Sequence, residues 1–282
     1  MAIGEKITIE TLRQRKRAGE KFAVLTCYDH PTARLIENAG IEVILVGDTI
    51  GEVVLGHHST IPVKLDFLLT ITEAVRRGAP NVFLLGDMPY LTYQVNPEEA
   101  IRNAGRFMAD AGCDAVKVEV DHRLLTTVEA MAAATIPVFA HIGLKPQSIH
   151  SLGGYKSTTK TAHQAKALID QARQFEDAGV VGLLLEAVPA EVAEIITEKV
   201  AVPVIGCVAG PQCDGTVVVL HDMLGLGGGH PPRTVKRYAE LNRQMADAIQ
   251  AYADDVHQGR FPAKEHSLKM PEDQLNNLKV VL

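Results

Sequence analysis

The feature that most constrains this chain is the alternation of short apolar runs with amphipathic stretches. Runs at 22–28 (FAVLTCY), 43–48 (VILVGD), 81–88 (NVFLLGDM), 115–120 (AVKVEV), 136–143 (IPVFAHIG), 182–188 (GLLLEAV), 202–208 (VPVIGCV) and 216–224 (TVVVLHDML) are β-branched or leucine-rich, as buried strands are. Between most of them apolar residues fall at helical spacing, as in PTARLIENAG, NPEEAIRNAGRFMADAG and TAHQAKALIDQARQFEDAG. Several of these stretches end in Gly, and Pro97 stands near a helix start. Eight repeats of the alternation favour a (β/α)8 barrel, although an open doubly wound sheet gives a similar string. The eighth run is the weakest strand, because no clean helix precedes it.

A chain of 282 residues with 46% hydrophobic content has material for one large core, so residues 1–282 are read as a single domain. An amphipathic segment opens it. The tail from His230 reads as one long helix (RTVKRYAELNRQMADAIQAYADDVHQG) with an irregular end, and its apolar face must pack on the barrel or on a neighbouring subunit. A net charge of −6 with no basic block, no Trp and only 5% aromatic residues argues against nucleic acid or an anionic membrane as partner. A small molecule is the expected partner. Residues 1–20 form neither a secretory h-region nor a membrane span, which predicts a cytoplasmic protein. The four cysteines lack a C-x-x-C pair and read as reduced, partly buried thiols.

Four acids close four of the apolar runs: Asp48, Asp87, Glu119 and Glu186. In a barrel of βα units, strand ends form one rim, and an unpaired carboxylate there costs several kcal/mol unless a cation or donor compensates it. Asp48 and Asp87 each follow a glycine, and with Glu119 they suit a hard divalent cation; as single residues they also fit helix N-caps. Lys117 and Glu119 are two apart on one strand and share a face, as an anion-positioning group beside a ligand carboxylate or as a structural ion pair. Glu186 ends the most apolar strand, surroundings that raise a carboxyl pKa and suit a general base. His141 could hydrogen-bond a carbonyl or carboxylate oxygen, or be a satisfied polar group. The long polar loop at 143–160 is a candidate lid or binding loop. GLGGGH at 225–230 lacks the spacing of a phosphate-binding loop and reads as a turn.

The strings LTCYDHPTARLIENAGIEVILVGDTIGEVVLGHHSTIPV, RRGAPNVFLLGDMPY, NPEEAIRNAGRFM, VKVE, HIGLKPQS, LGGYK, LEAVPAE and AGPQCDGTVVVLHDMLG, in this order from about Ile7 to Pro262, resemble the ketopantoate hydroxymethyltransferase family. The resemblance implies a TIM barrel of the phosphoenolpyruvate-mutase and isocitrate-lyase type and a homo-oligomer, a decamer. It further implies hydroxymethyl transfer from 5,10-methylenetetrahydrofolate to 3-methyl-2-oxobutanoate in pantothenate synthesis, through a Mg²⁺-stabilised enolate. Carried over by position, metal ligands fall on Asp48, Asp87 and Glu119, substrate contacts on Asp48, Thr49, Asp87 and Lys117, and the base on Glu186. A folate-independent 2-oxo acid lyase of the same superfamily and a non-catalytic metabolite-binding barrel are the alternatives.

Some positions depart from the family pattern. Thr49 replaces the usual Ser, Val120-Asp121 stand where Gly-Gly commonly follows the glutamate, Lys145 takes a place often held by Thr, and Val208 one usually held by Gly. Losing glycine adds bulk and restricts φ, so the pocket edges near the fourth and seventh strands are expected to differ in shape.

Overall fold

The computed structural model describes residues 4–154, 159–227 and 234–282. Eight parallel strands close on one another in chain order: β1 (Phe22–Thr26), β2 (Val43–Val46), β3 (Phe83–Asp87), β4 (Ala115–Glu119), β5 (Val138–Gly143), β6 (Gly182–Glu186), β7 (Val204–Cys207) and β8 (Gly215–Val218). β1 pairs with both β2 and β8, which completes the barrel and leaves no sheet edge.

Period-two alternation sorts the strand residues. Phe22, Val24, Val43, Leu45, Phe83, Leu85, Ala115, Phe139, Leu184, Ile205 and Val217 form the inner cluster, while the alternate residues pack under the surrounding helices. Continuing the inner series toward the C-terminal ends gives Asp87, Lys117, Glu119, His141 and Glu186. The polar site is thus the top layer of an otherwise apolar barrel interior. Gly86 lies inside β3 and does not make a turn there: a Cβ would stand 2.5 Å from the Phe107 ring, so glycine serves helix-to-strand packing.

The N-terminal segment plugs the opposite mouth. Ile7 and Leu12, the latter on helix Ile9–Ala18, join the inner cluster. Lys6 pairs with Asp114 at 2.6 Å and Lys16 with Asp214 at 2.8 Å, and each acid immediately precedes a strand.

Three expectations are corrected. The 216–224 run is not one strand, because helix Leu220–Leu224 follows directly after β8. The long tail helix starts only at Leu241 and ends at His257: residues 234–240 form no helix, and there the Tyr238 N–H donates to Met223 O at 2.8 Å. The end expected to be irregular carries helix Glu272–Val281. No helix lies between β7 and β8. No residue of helix Leu241–His257 is buried, so its apolar face does not pack on the barrel. All four cysteines are free. Residues 155–158 of the polar loop and 228–230 of GLGGGH lie outside the described residues, while Gly225 caps helix Leu220–Leu224 in the left-handed conformation.

Candidate active site

Strand register assembles the site in pairs. Asp87 is the register partner of Lys117, and Glu119 of His141. The Lys117 ammonium lies 2.7 Å from Asp87 Oδ1, and Asp87 Oδ2 accepts the Asp48 backbone N–H at 3.1 Å. Asp48, Asp87, Lys117, Glu119 and His141 are all at most 4% exposed. Such burial of charged groups is costly unless they pair with one another.

The electrostatics follow from this crowding. Burial lifts the Asp87 carboxyl to about 8, with the Lys117 ammonium pulling it back only in part. Glu119 is driven well above the carboxylate range by burial and by the acids around it, against the pull of Lys117. Burial works to lower Lys117, but Asp87, Glu119 and Asp48 outweigh it and hold the lysine protonated. His141 is lowered by burial and by Lys117, against the pull of Glu186.

Lys117 fixes the His141 tautomer. Its Nζ lies 3.2 Å from His141 Nδ1, and an ammonium can only donate, so Nδ1 is the acceptor and Nε2 carries the proton. That Nε2 stands 3.2 Å from Glu186 Oε2, off the line of an ideal hydrogen bond. A continuous polar chain therefore runs Asp87, Lys117, His141, Glu186. The Glu186 side chain is 21% exposed, so it faces the cavity and is not sunk among the apolar residues that precede it.

The sequence reading missed Gln147. The turn after Gly143 brings this side chain, 4% exposed, between two acids. Its Nε2 donates to Asp48 Oδ2 at 2.9 Å and to Met88 O at 3.0 Å, while its backbone N–H donates to Glu119 Oε2 at 3.0 Å. Tyr93 Oη donates to Gln147 Oε1 at 2.7 Å. The signal available in sequence was the odd polarity of the 143–160 loop, which does not single out one amide.

Asp48, Asp87 and Glu119 supply the hard oxygen donors that a divalent cation such as Mg²⁺ prefers. Glu119 Oε1 is buried with no hydrogen-bond partner, as expected of an oxygen that awaits a cation. With Gln147 between Asp48 and Glu119, no three His, Cys, Asp or Glu side chains among the described residues are gathered closely enough to hold a metal. The donor chemistry fits, and the spacing does not yet match a closed coordination shell.

Thr49 and the six polar residues Asp48, Asp87, Lys117, Glu119, His141 and Glu186 line a cavity of about 60 Å³. A second cavity of about 540 Å³ shares Thr49, Pro146, Glu186 and Cys207 with it, so Glu186 faces both. All the site residues expected from sequence thus meet in one place.

Among solved structures, phosphoenolpyruvate phosphomutase from Streptomyces platensis subsp. rosaceus superposes with a TM-score of 0.61 at 16% identity, covering 97% of this chain and 96% of that one. 2,3-Dimethylmalate lyase, a PEP mutase/isocitrate lyase superfamily member, gives 0.58 at 16% identity, covering 97% and 94%. The fold is therefore of that superfamily's barrel type. Closer in sequence, the 3-methyl-2-oxobutanoate hydroxymethyltransferase of Thermoanaerobacter pseudethanolicus is 46% identical over 266 residues, 94% of this chain and 97% of that protein. The enzyme of the same name from Syntrophomonas wolfei is 43% identical over 273 residues, 97% and 99% of the two chains. A family model described as ketopantoate hydroxymethyltransferase matches residues 6–264, and the chain belongs to that family.

Proposed function

We propose that this chain transfers a hydroxymethyl group from 5,10-methylenetetrahydrofolate to 3-methyl-2-oxobutanoate, in the cytoplasm and as a homo-oligomer of the family's decameric type. The observation that carries the reading is the position of Glu186: an accessible carboxylate on the wall shared by a small polar cavity and a larger one. A two-substrate reaction needs a base at such a boundary.

Lys117 and the Thr49 hydroxyl are the groups available to hold the carboxylate of the 2-oxo acid. A divalent cation such as Mg²⁺, held by Asp48, Asp87 and Glu119, would polarise the 2-oxo group and stabilise the charge left on the substrate when C3 loses its proton. Glu186 takes that proton on Oε2. His141, fixed by Lys117 with its proton on Nε2, orients the Glu186 carboxylate, and its lowered pKa keeps the imidazole neutral. Water breaks both C–N bonds of the folate's methylene bridge, N5 and N10 taking up the water's two protons and the carbon leaving at the carbonyl level. C3 attacks that carbon from the side of the larger cavity, and the carbon's oxygen takes back the proton held by Glu186. Water supplies the hydroxyl oxygen, and the products are 2-dehydropantoate and tetrahydrofolate.

Proton exchange at C3 of 3-methyl-2-oxobutanoate in D₂O, followed by NMR with and without Mg²⁺, tests the first half-reaction. Addition of 5,10-methylenetetrahydrofolate tests the second. Cation-dependent exchange and then 2-dehydropantoate are expected. Exchange without the folate product would replace the reading with a lyase, and no exchange would remove the catalytic role.

A further inference from the structure

The larger cavity is lined by residues of β7 and β8 and of the stretch that includes Thr234, Lys236 and Tyr238. Its volume, about 540 Å³, is within the range of roughly 300–1,000 Å³ typical of small-molecule sites. Val208, Ala209, Val218 and Val219 give it apolar walls, and Tyr238 stands at its edge with the Lys236 ammonium 4.6 Å from the ring centroid. Such a slot accepts a flat heterocycle by stacking and van der Waals contact.

One polar group in it is poorly served. Asp222, on helix Leu220–Leu224, is half-buried, and among the described residues its carboxylate accepts no hydrogen bond. Burial holds its carboxyl above the usual range, against the pull of His221 and Arg237. Glu52, the other acid on the walls besides Glu186, already has a partner. Cys207 lines the same cavity as Glu186 and Asp222. The cavity thus holds both the base and an under-served carboxylate.

We propose that this cavity holds the pterin end of the folate co-substrate, with the Asp222 carboxylate accepting hydrogen bonds from the ring N3–H and the 2-amino group. An ionised carboxylate is an acceptor with two parallel oxygens, and the aminopyrimidinone edge of a pterin presents two parallel donors. The assignment rests on the hydroxymethyltransferase reading. It places the reduced ring, and the methylene carbon it carries, along the wall that leads to Glu186.

Calorimetric titration of the full chain with tetrahydrofolate tests it, comparing wild type with Asp222→Asn and Asp222→Ala, and repeating with an analogue lacking the 2-amino group. Loss of hydrogen bonds to a charged acceptor is expected to weaken tetrahydrofolate binding roughly tenfold to a hundredfold. Wild type should reject the analogue by a similar factor, and the variants should not discriminate. The isosteric Asn variant keeps the test open should Ala unfold the helix. Equal binding by wild type and variants, or discrimination that survives the substitution, overturns the assignment while leaving the function intact. Wild type that exchanges the C3 proton yet binds no tetrahydrofolate overturns both this assignment and the folate reading.

Discussion

Asp121 and Lys145, which follow the ends of β4 and β5, are joined by a 2.7 Å ion pair. The structure makes partners of two charges 24 residues apart. Arg123 reaches the same carboxylate at 2.7 Å, and the Arg123 backbone N–H donates to it at 3.1 Å. Asp121 is two residues beyond Glu119 and Lys145 two before Gln147. The ion pair therefore clasps together the two segments that carry the Glu119–Gln147 contact.

The clasp has a pH signature. The Arg123 guanidinium, working against partial burial and helped by Lys145, holds the Asp121 carboxyl well below its usual range. A depressed folded-state pKa gives stability that is fully present above the unfolded value, about 4, and is lost as pH falls below it. Asp121→Asn is expected to lower stability by about 1 kcal/mol at neutral pH, a modest figure because Arg123 is largely exposed. Urea unfolding at pH 7 and at pH 3 should show the gap closing; a gap of constant size would mean that shape and not charge is at work.

Val208 carries backbone strain. It adopts φ 54°, the left-handed region that a β-branched residue avoids at a cost of roughly 1–2 kcal/mol. The residue is also 46% exposed, so little burial compensates. Val208→Gly is expected to stabilise the protein by up to about 1 kcal/mol after the greater chain entropy of glycine is counted. Thermal unfolding checks it, and a lower melting temperature would show that the strain is relieved elsewhere.

The barrel and its acids were legible because both depend on local, periodic features. A run such as AVKVE states its own alternation, so Lys117 and Glu119 could be placed on one face before any fold was known. Gln147 was not legible: its role comes from a turn that brings it between Asp48, 99 residues away, and Glu119. The pairing of Asp121 with Lys145 was hidden for the same reason, since each reads alone as a surface charge. The start of helix Leu241–His257 was misplaced because residues 234–240 stay outside it, with the Tyr238 N–H committed to Met223 O in a long-range bond that the amphipathic pattern does not show.

Gln147→Leu removes the amide from a buried network and takes the donor from both Asp48 Oδ2 and Met88 O, whereas the Tyr93 hydroxyl keeps its bonds to Glu119. An unsatisfied buried group costs about 1–3 kcal/mol, so the metal-free variant should lose roughly 2–4 kcal/mol. Saturating Mg²⁺ should return part of that loss if the cation draws on Asp48. Urea unfolding with and without Mg²⁺ measures both quantities, and a loss untouched by the cation would argue against Asp48 as a ligand.

Met245, Ile249, Tyr252 and Val256 recur at helical spacing on helix Leu241–His257, and all are exposed. An apolar face of this kind is expected to be covered by another copy of the chain in the proposed homo-oligomer. Light scattering should give a mass several times 30.5 kDa for wild type. The double substitution Met245→Asp and Ile249→Asp should shift it toward smaller species, whereas an unchanged mass would place the subunit contacts elsewhere.

The polar chain that ends at Glu186 separates base strength from binding. Glu186→Gln keeps the shape of the side chain and leaves Asp48, Asp87, Lys117 and Glu119 in place, so 2-oxo acid binding should change by no more than about threefold while C3 exchange falls by about 10³ or more. His141→Asn tests the orienting step. Asparagine can accept from Lys117 or donate toward Glu186, but its amide does not span the two distances of 3.2 Å that the ring bridges. Exchange in that variant should fall by roughly 10–100-fold, with the carboxylate base still present. If His141 were itself the base, the order of the two losses would reverse, and comparing exchange rates of the two variants by NMR at fixed Mg²⁺ decides between them.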